Sequence, residues 1–275
     1  MTTANPPSRS RFGLLLAAGQ VRYQLLLVLR SPMGNFTTLI IPLMLLVVLN
    51  VATPQTALAQ LHGVRYADFL TPAMGTFALL NACYVNVVTS VVIAREDGIL
   101  KRLHGTPLPL WAYVVGRMAA AAATAAASVV IVFAVAVIFL HVHLNGHRVA
   151  ALVAISALGV ASFTTLGMAI STFVPRTDTA LPVAYGTILP LAFLSNVFFP
   201  ATTAPTWLQH LADGFPLSPI AKASERAFSN GSNAWPMTQG QLSVVLAWIG
   251  GAALVTAIGF RWQPGATLLG RWHQR

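Results

Sequence analysis

The sequence predicts an all-α membrane protein with six transmembrane helices, and two observations support that prediction. The chain has 275 residues, of which 56% are hydrophobic and only 8% are charged. Soluble domains carry roughly 25% charged residues, so this chain lacks the charges for an ordinary water-facing surface. Six stretches without charged residues are each longer than the ~20 residues that cross a bilayer; they separate Arg30 from Arg65, Asp68 from Arg95, Arg117 from Arg148, Arg148 from Arg176, Asp178 from Asp213, and Arg226 from Arg261.

These stretches divide the chain into four parts. Residues 1–11 are predicted to be a disordered cytoplasmic tail, and residues 12–30 an interfacial helix. Residues 31–263 form the six-span domain, and residues 264–275 a cytoplasmic C-terminal tail. The predicted spans are 35–51, 69–93, 111–140, 150–174, 179–199 and 242–260.

The segment 12–30 is amphipathic rather than uniformly apolar. Apolar residues recur at helical spacing from Leu14 to Leu29, while Gln20 and Gln24 lie away from that stripe. This pattern is typical of a helix in the membrane interface. A signal peptide and a true span are the alternatives, and the polar residues at the centre of the segment argue against both.

The basic residues predict the orientation. Cytoplasmic connections of membrane proteins carry an excess of Lys and Arg. With a cytoplasmic amino terminus, twelve basic residues lie inside and four, Arg65, Arg148, Lys222 and Arg226, lie outside. Both termini are therefore expected in the cytoplasm of a bacterium, with the chain a multi-pass protein of its plasma (inner) membrane. The basic residues lie in short connections between apolar stretches, which argues against nucleic-acid binding, because that needs a basic patch on a soluble face.

The connection after the second span concentrates charge. Two acids and three bases occur between Arg95 and Arg102, and Ile99 and Leu103 are spaced to share one side of a helical turn. Thr106-Pro107 is expected to end any helix there. A short amphipathic helix that docks on a soluble partner and a solvated loop fit this pattern equally well.

A motif in this connection favours the docking helix. The segment resembles the pattern of the type-2 ATP-binding-cassette (ABC) export permeases, a family that includes the daunorubicin and doxorubicin resistance permeases. The matching residues are Arg95, Glu96, Gly98, Leu100, Arg102, Leu103, Thr106, Pro107 and Leu108. Asp97 and Lys101 depart from the charges usual in that family. The resemblance implies that this segment is the coupling helix, which contacts an ATPase subunit.

A second match follows the fifth span. The family often has Leu-Ser-Gly-x-Phe-Phe-Pro before an outer re-entrant helical segment, and here Asn196 replaces the glycine of Leu194-Ser195-Asn196-Val197. The residues assigned to the outer segment are Phe199, Pro200, Pro205, Trp207, Leu208, Pro216 and Arg226.

The two matches together imply a function. The chain would be the membrane-spanning subunit of an exporter that moves hydrophobic or amphipathic cargo by alternating access. Partners would be two copies of an ABC ATPase subunit, a second permease subunit (an identical or a sister chain), and lipid. No Gly-x-x-x-x-Gly-Lys-Ser/Thr loop occurs, so ATP and Mg would bind to the ATPase, with no cofactor on this chain. Drug resistance and envelope lipid export remain open as its role.

Two groups of polar residues allow more than one interpretation. Polar side chains inside the spans either line a substrate path or bridge helices by hydrogen bonds; they are Asn81, Asn86, Thr89, Ser195 and Asn196. His141, His143 and His147 have a spacing that zinc ligands adopt. No cysteine or carboxylate accompanies them, so no metal site is predicted.

Enzyme classes lack their residues in this sequence. None of the six acidic residues falls within a charge-free stretch, and Gly-x-Ser-x-Gly and His-Glu-x-x-His are absent. The chain is therefore expected to be no enzyme. An ion-driven transporter, which usually needs intramembrane carboxylates, and a membrane scaffold are the alternatives.

Overall fold

The computed structural model describes residues 9–30, 32–52, 65–105, 110–142, 148–195, 197, 206–228 and 235–259. Most of these residues are helical, and no strand occurs among them. Helices satisfy backbone N–H and C=O groups internally, which hydrocarbon cannot do. The helices in chain order are α1 (Arg9–Arg30), α2 (Pro32–Ala52), α3 (Tyr66–Leu80), α4 (Asn86–Glu96), α5 (Ile99–His104), α6 (Leu110–Leu140), α7 (Val149–Ser171), α8 (Thr177–Leu194), α9 (Thr206–Asp213), α10 (Leu217–Phe228) and α11 (Gln239–Gly259).

The all-α membrane fold is confirmed, and the number of spans is confirmed only in part. Within the described ranges, five helical segments are long and apolar enough to cross a bilayer. The first predicted span corresponds to α2, whose described apolar part, Thr38–Ala52, is shorter, so the sixth span stays a prediction. The largest difference in boundaries is at the predicted span 179–199, because α8 ends at Leu194. The five segments are Tyr66–Glu96, Trp111–Leu140, Val149–Ser171, Thr177–Leu194 and Gln239–Gly259.

The span Tyr66–Glu96 forms the centre of the bundle. It consists of α3, a π-helical turn at Asn81–Val85, and α4. Of its apolar window 72% is buried, against 22–33% for the other four spans. Helices α2, α6, α7, α8 and α10 pack around it. The outer helices expose large apolar side chains to the surroundings, as a lipid-facing surface requires.

A glycine allows α7 to approach the π-helical turn closely. A Cβ atom on Gly167 would lie 3.0 Å from the Tyr84 carbonyl oxygen and 3.2 Å from Val87 Cβ. Both neighbours belong to the buried central span. Small residues allow such close approach of membrane helices.

Gly167→Ala is expected to destabilise the protein by about 1–3 kcal/mol, the usual cost of overpacking a core. Thermal unfolding in detergent measures the effect. Gly250→Ala on α11 is the control, because no atom lies within 4 Å of its Cβ position, and it should leave the melting temperature unchanged or raised. Equal stability of the two variants would contradict the close α7 contact.

The amino-terminal helix begins earlier than predicted and packs with its polar side inward. α1 starts at Arg9, within the segment predicted to be disordered. Gln20 and Gln24 are buried, while Tyr23 and Leu27 are exposed. The Cβ position of Gly116 on α6 lies 2.7 Å from Gln20 Cγ. The glutamines therefore contact α6, and the apolar side of α1 is free to face lipid.

Candidate functional site

The coupling segment predicted from the sequence is a helix–turn–helix at one end of the central span. α4 ends with hydrogen bonds from Asp97 N to Ile93 O (2.9 Å) and from Gly98 N to Arg95 O (3.1 Å). Gly98 has φ +70°, a left-handed conformation that glycine adopts without a Cβ penalty. Arg102 N then donates to Gly98 O at 3.1 Å, and α5 follows. The glycine of the motif thus reverses the chain between the two helices.

Helix α5 has one anchored position and several exposed ones. Leu100 is fully buried in the hydrophobic core, whereas Ile99, Lys101 and Arg102 are exposed. The side chain of Leu103, and residues Thr106 and Pro107, lie outside the described part of the structure. An exposed isoleucine beside exposed bases is the surface expected of a helix that docks on a soluble partner.

Arg95 faces into the chain rather than out of it. Its side chain is only 3% exposed. Its guanidinium donates to Ser171 O at 3.0 Å and also to Val174 O. These carbonyls belong to the carboxyl end of α7 and the turn after it, where helix carbonyls lack internal partners. The charge of Arg95 also suits the negative end of the α7 dipole.

Glu96 binds the amino-terminal end of α8. The exposed carboxylate accepts a hydrogen bond from the backbone N–H of Thr177 at 2.8 Å. Thr177 is the first residue of α8, where N–H groups are unpaired and negative charge is favourable. We call Arg95, Glu96, Ser171, Val174 and Thr177 the latch. It joins the α4–α5 corner to the end of α7 and the start of α8.

Three of the predicted path residues lie on the central span, and a fourth, Ser195, directly follows α8. Asn81 is buried at the π-helical turn; its amide donates to Phe77 O at 2.9 Å and its Oδ1 accepts from the Tyr185 hydroxyl at 3.0 Å. Asn86 is partly buried, and Thr89 donates to Val85 O and Asn86 O at 2.9 and 3.1 Å. Ser195 is buried with no partner for its hydroxyl, and Asn196 lies outside the described residues. Asn81 therefore joins the central span to α8, and Thr89 bonds to the backbone of its own span.

Three further polar side chains accompany Asn81, and the sequence analysis did not single them out. Tyr84 and Thr187 share a 2.7 Å hydrogen bond between hydroxyls, and Tyr185 bonds Asn81. Thr187 is exposed in the middle of α8. We call Asn81, Tyr84, Tyr185 and Thr187 the polar seam. Tyrosines in apolar runs look like ordinary core residues, but the shared helical side of Asn81 and Tyr84 was a usable signal.

The outer segment is a helix pair, α9 and α10. Trp207 is 67% exposed on α9, with Leu208 partly buried, and Pro216 is buried before α10. Arg226 donates to Pro236 O and Gln241 Oε1, both at 2.9 Å, and so ties α10 to the start of α11. Phe199, Pro200 and Pro205 lie outside the described residues.

Electrostatics stabilise the junction of α9 and α10. Lys222 Nζ lies 2.5 Å from Asp213 Oδ1, and the Ser218 hydroxyl donates to the same oxygen at 2.6 Å. Partial burial acts to raise the pKa of Asp213, but the hydrogen bonds from Lys222 and Ser218 outweigh it and hold that pKa below its usual value. The carboxylate is therefore ionised at neutral pH.

The structure contains no grouping that suggests metal chemistry in its described ranges. No cluster of three or more His, Cys, Asp or Glu residues occurs there. His141 is exposed at the end of α6 with φ 52°, and His143 and His147 lie outside the described residues.

Comparison with known proteins agrees with this architecture. A family model described as ABC-2 type transporter matches residues 20–227. The inner membrane transport permease YadH of Escherichia coli K12 is 23% identical over 163 residues, covering 59% of this chain and 62% of YadH. The permease of the same name from Shigella flexneri gives the same values. The matched region spans 62% of the length of these relatives. The resemblance recognised in the sequence is thereby confirmed: the chain belongs to the ABC-2 type transporter family.

Proposed function

We propose that this chain is the membrane-spanning subunit of an ATP-driven exporter of hydrophobic or amphipathic cargo such as a drug, a lipid or a lipid-linked product. The observation that carries this proposal is the latch. Through the hydrogen bonds of Arg95 and Glu96 it connects the end of α4 to α7 and α8, and α5, which has an exposed surface, follows directly after that end. A structural loop would need no such connection to two spans.

The mechanism follows from that connection. An ATPase subunit that binds Ile99, Lys101 and Arg102 moves α5 when it closes on ATP. Leu100 and the latch carry this displacement to α7 and α8, because packed helices move as rigid bodies. α8 holds Tyr185 and Thr187 of the polar seam, so the same displacement alters the seam and its access. Differential binding of the ATPase to the two conformations drives the cycle.

The assembly consists of two ATPase subunits, which bind ATP and Mg, and two permease subunits in a bacterial inner membrane. The relatives named as transport permeases support the role, and the absence of catalytic motifs in the chain supports a transport component without its own chemistry. The cargo is apolar or weakly polar, since no carboxylate lies within the charge-free stretches and the seam consists of hydroxyls and an amide.

Co-purification from native membranes tests the proposal. Wild type is expected to bring down an ATPase subunit whose activity responds to the permease. Arg102→Ala should weaken that association, because it removes an exposed charge from α5. Glu96→Ala should retain the ATPase but reduce its coupling, since it cuts the bond to Thr177.

The matched control is Arg30→Ala, which removes an exposed arginine from the end of α1. It should leave both association and coupling unchanged. If no ATPase associates with wild type, or if all three variants behave alike, α5 does not dock on an ATPase subunit and the exporter proposal fails.

A further inference from the structure

A second polar cluster lies between α1, α4 and α6, apart from the latch and the polar seam. Arg117 on α6 donates to Gln24 Oε1 at 3.0 Å and to the Ser90 hydroxyl. Gln20 lies one helical turn before Gln24 on α1. We call Gln20, Gln24, Ser90 and Arg117 the α1–α6 cluster. A sequence argument alone would have Arg117 reaching out to headgroups, but it bonds inside the chain.

The charge of this cluster is not compensated by the chain. The protein has six acidic residues, and none of them forms an ion pair with Arg117 in the part of the chain that the structure describes. Both bonds of Arg117 go to neutral oxygens. A guanidinium that is partly buried without a counter-ion is costly, so an anion from outside the chain would stabilise it.

The cluster also has surplus hydrogen-bond donors. Gln20 is only 8% exposed, and its Nε2 has no acceptor among the residues that the structure describes. The Nε of Arg117 is likewise buried without an acceptor there. Buried donors nearly always find partners, and here the missing group is an acceptor. A phosphate fits, because it combines negative charge with several acceptor oxygens and pairs well with arginine.

The position of the cluster indicates where such a group comes from. Arg117 lies about 10 Å along α6 from its start, and Ser90 about 9 Å before the end of α4, at 1.5 Å per residue. Both ends flank α5, so the cluster lies near the end of the bundle that carries the coupling helix. That depth is close to the boundary between headgroups and hydrocarbon. Arg117 is only partly buried, which leaves it accessible from that boundary.

We propose that the α1–α6 cluster binds the phosphate group of an amphiphile in the membrane leaflet on the α5 side. Basic pockets between membrane helices bind anionic headgroups in this manner. The proposal rests on the membrane location of the chain and not on ATP-driven export, so either can fail without the other. A free phosphate ion shares the required chemistry and is distinguished by the experiment.

The test uses the purified full-length chain in detergent at ~0.15 M salt, near physiological ionic strength, with three probes measured by native mass spectrometry and thermal unfolding. The probes are dioleoylphosphatidylglycerol, dioleoylglycerol, which lacks the phosphate, and inorganic phosphate alone. Wild type should bind and be stabilised by the phosphatidylglycerol and not by dioleoylglycerol. Arg117→Gln should weaken that binding by about tenfold, as loss of a charged, bidentate contact predicts.

Arg22→Gln is the matched control, because Arg22 is an exposed arginine on α1 close in sequence to Gln20. Water and salt screen the exposed charge of Arg22, so its loss should change the affinity for phosphatidylglycerol by less than about twofold. If Arg117→Gln does not fold, Arg117→Lys and Gln20→Leu take its place. Each removes only part of the donor set and should weaken binding by about threefold.

Four outcomes have distinct meanings. Arg117-dependent stabilisation by the phospholipid alone supports a headgroup, and Arg117-dependent stabilisation by inorganic phosphate supports a phosphate site open to free ions. Equal binding of the phosphatidylglycerol and dioleoylglycerol would overturn the proposal. Equal loss in Arg117→Gln and Arg22→Gln would also overturn it, because the effect would then be general surface charge.

Discussion

Replacement of Arg95 by methionine is expected to destabilise the protein and, in the proposed exporter, to uncouple it from the ATPase subunit. The guanidinium donates to the carbonyls of Ser171 and Val174 in a buried position. Methionine fills similar volume but leaves both carbonyls without that donor. Hydrogen bonds to charged groups are worth about 1.5–3 kcal/mol, and a loss of that size should appear in thermal unfolding. Coupled ATPase activity should fall further than stability predicts, because α7 loses its tie to the end of α4, which α5 follows.

Arg102→Met removes the same charge and is the control for Arg95→Met. Arg102 is exposed on α5, so its loss should leave the melting temperature nearly unchanged while weakening association with the ATPase. The two variants therefore separate internal transmission from docking. A stable, fully coupled Arg95→Met protein would exclude a mechanical role for the latch.

Tyr185→Phe is expected to have the second large effect, on transport rather than on folding. The Tyr185 hydroxyl donates to Asn81 Oδ1 at 3.0 Å, beside the π-helical turn of the central span. Phenylalanine removes that single contact, which costs about 1 kcal/mol of stability. In the proposed exporter this bond joins α8 to the central span, so transport of an amphipathic dye by reconstituted vesicles should fall by about fivefold or more.

The matched control is Tyr23→Phe, which removes an exposed hydroxyl from α1. Transport by this variant should equal that of wild type. Thr187→Val extends the test. Thr187 lies on α8, as Tyr185 does, and its replacement removes the hydrogen-bond partner of the Tyr84 hydroxyl. Normal transport by both Tyr185→Phe and Thr187→Val would remove the polar seam from the path.

Much of the architecture could be predicted without the structure. Charge is so costly in hydrocarbon that its absence over long stretches marks the spans. Five of the six predicted stretches coincide with a helix that is long and apolar enough to cross a bilayer. The family could be recognised from two short motifs, and the family model that matches residues 20–227 confirms it.

The contacts of individual side chains could not be predicted in this way. Arg95 and Arg102 belong to one motif and carry the same charge, yet one is buried against α7 and the other is exposed. Gln20 and Gln24 look like the wet side of an interfacial helix, but they contact α6. In a membrane the polar side of a helix is the one that faces protein, because lipid satisfies only the apolar side.

The sequence by itself thus determined that lipid surrounds this protein, the approximate bounds of five helices long and apolar enough to span a membrane, and its family. These properties depend on composition, charge spacing and local motifs. Only the tertiary structure decided that Glu96 holds the start of α8, that Tyr84 meets Thr187, and that Arg117 lies among neutral oxygens. The physical reason is distance along the chain: each of these contacts joins residues from separate helices, and helix packing alone determines which side chains meet.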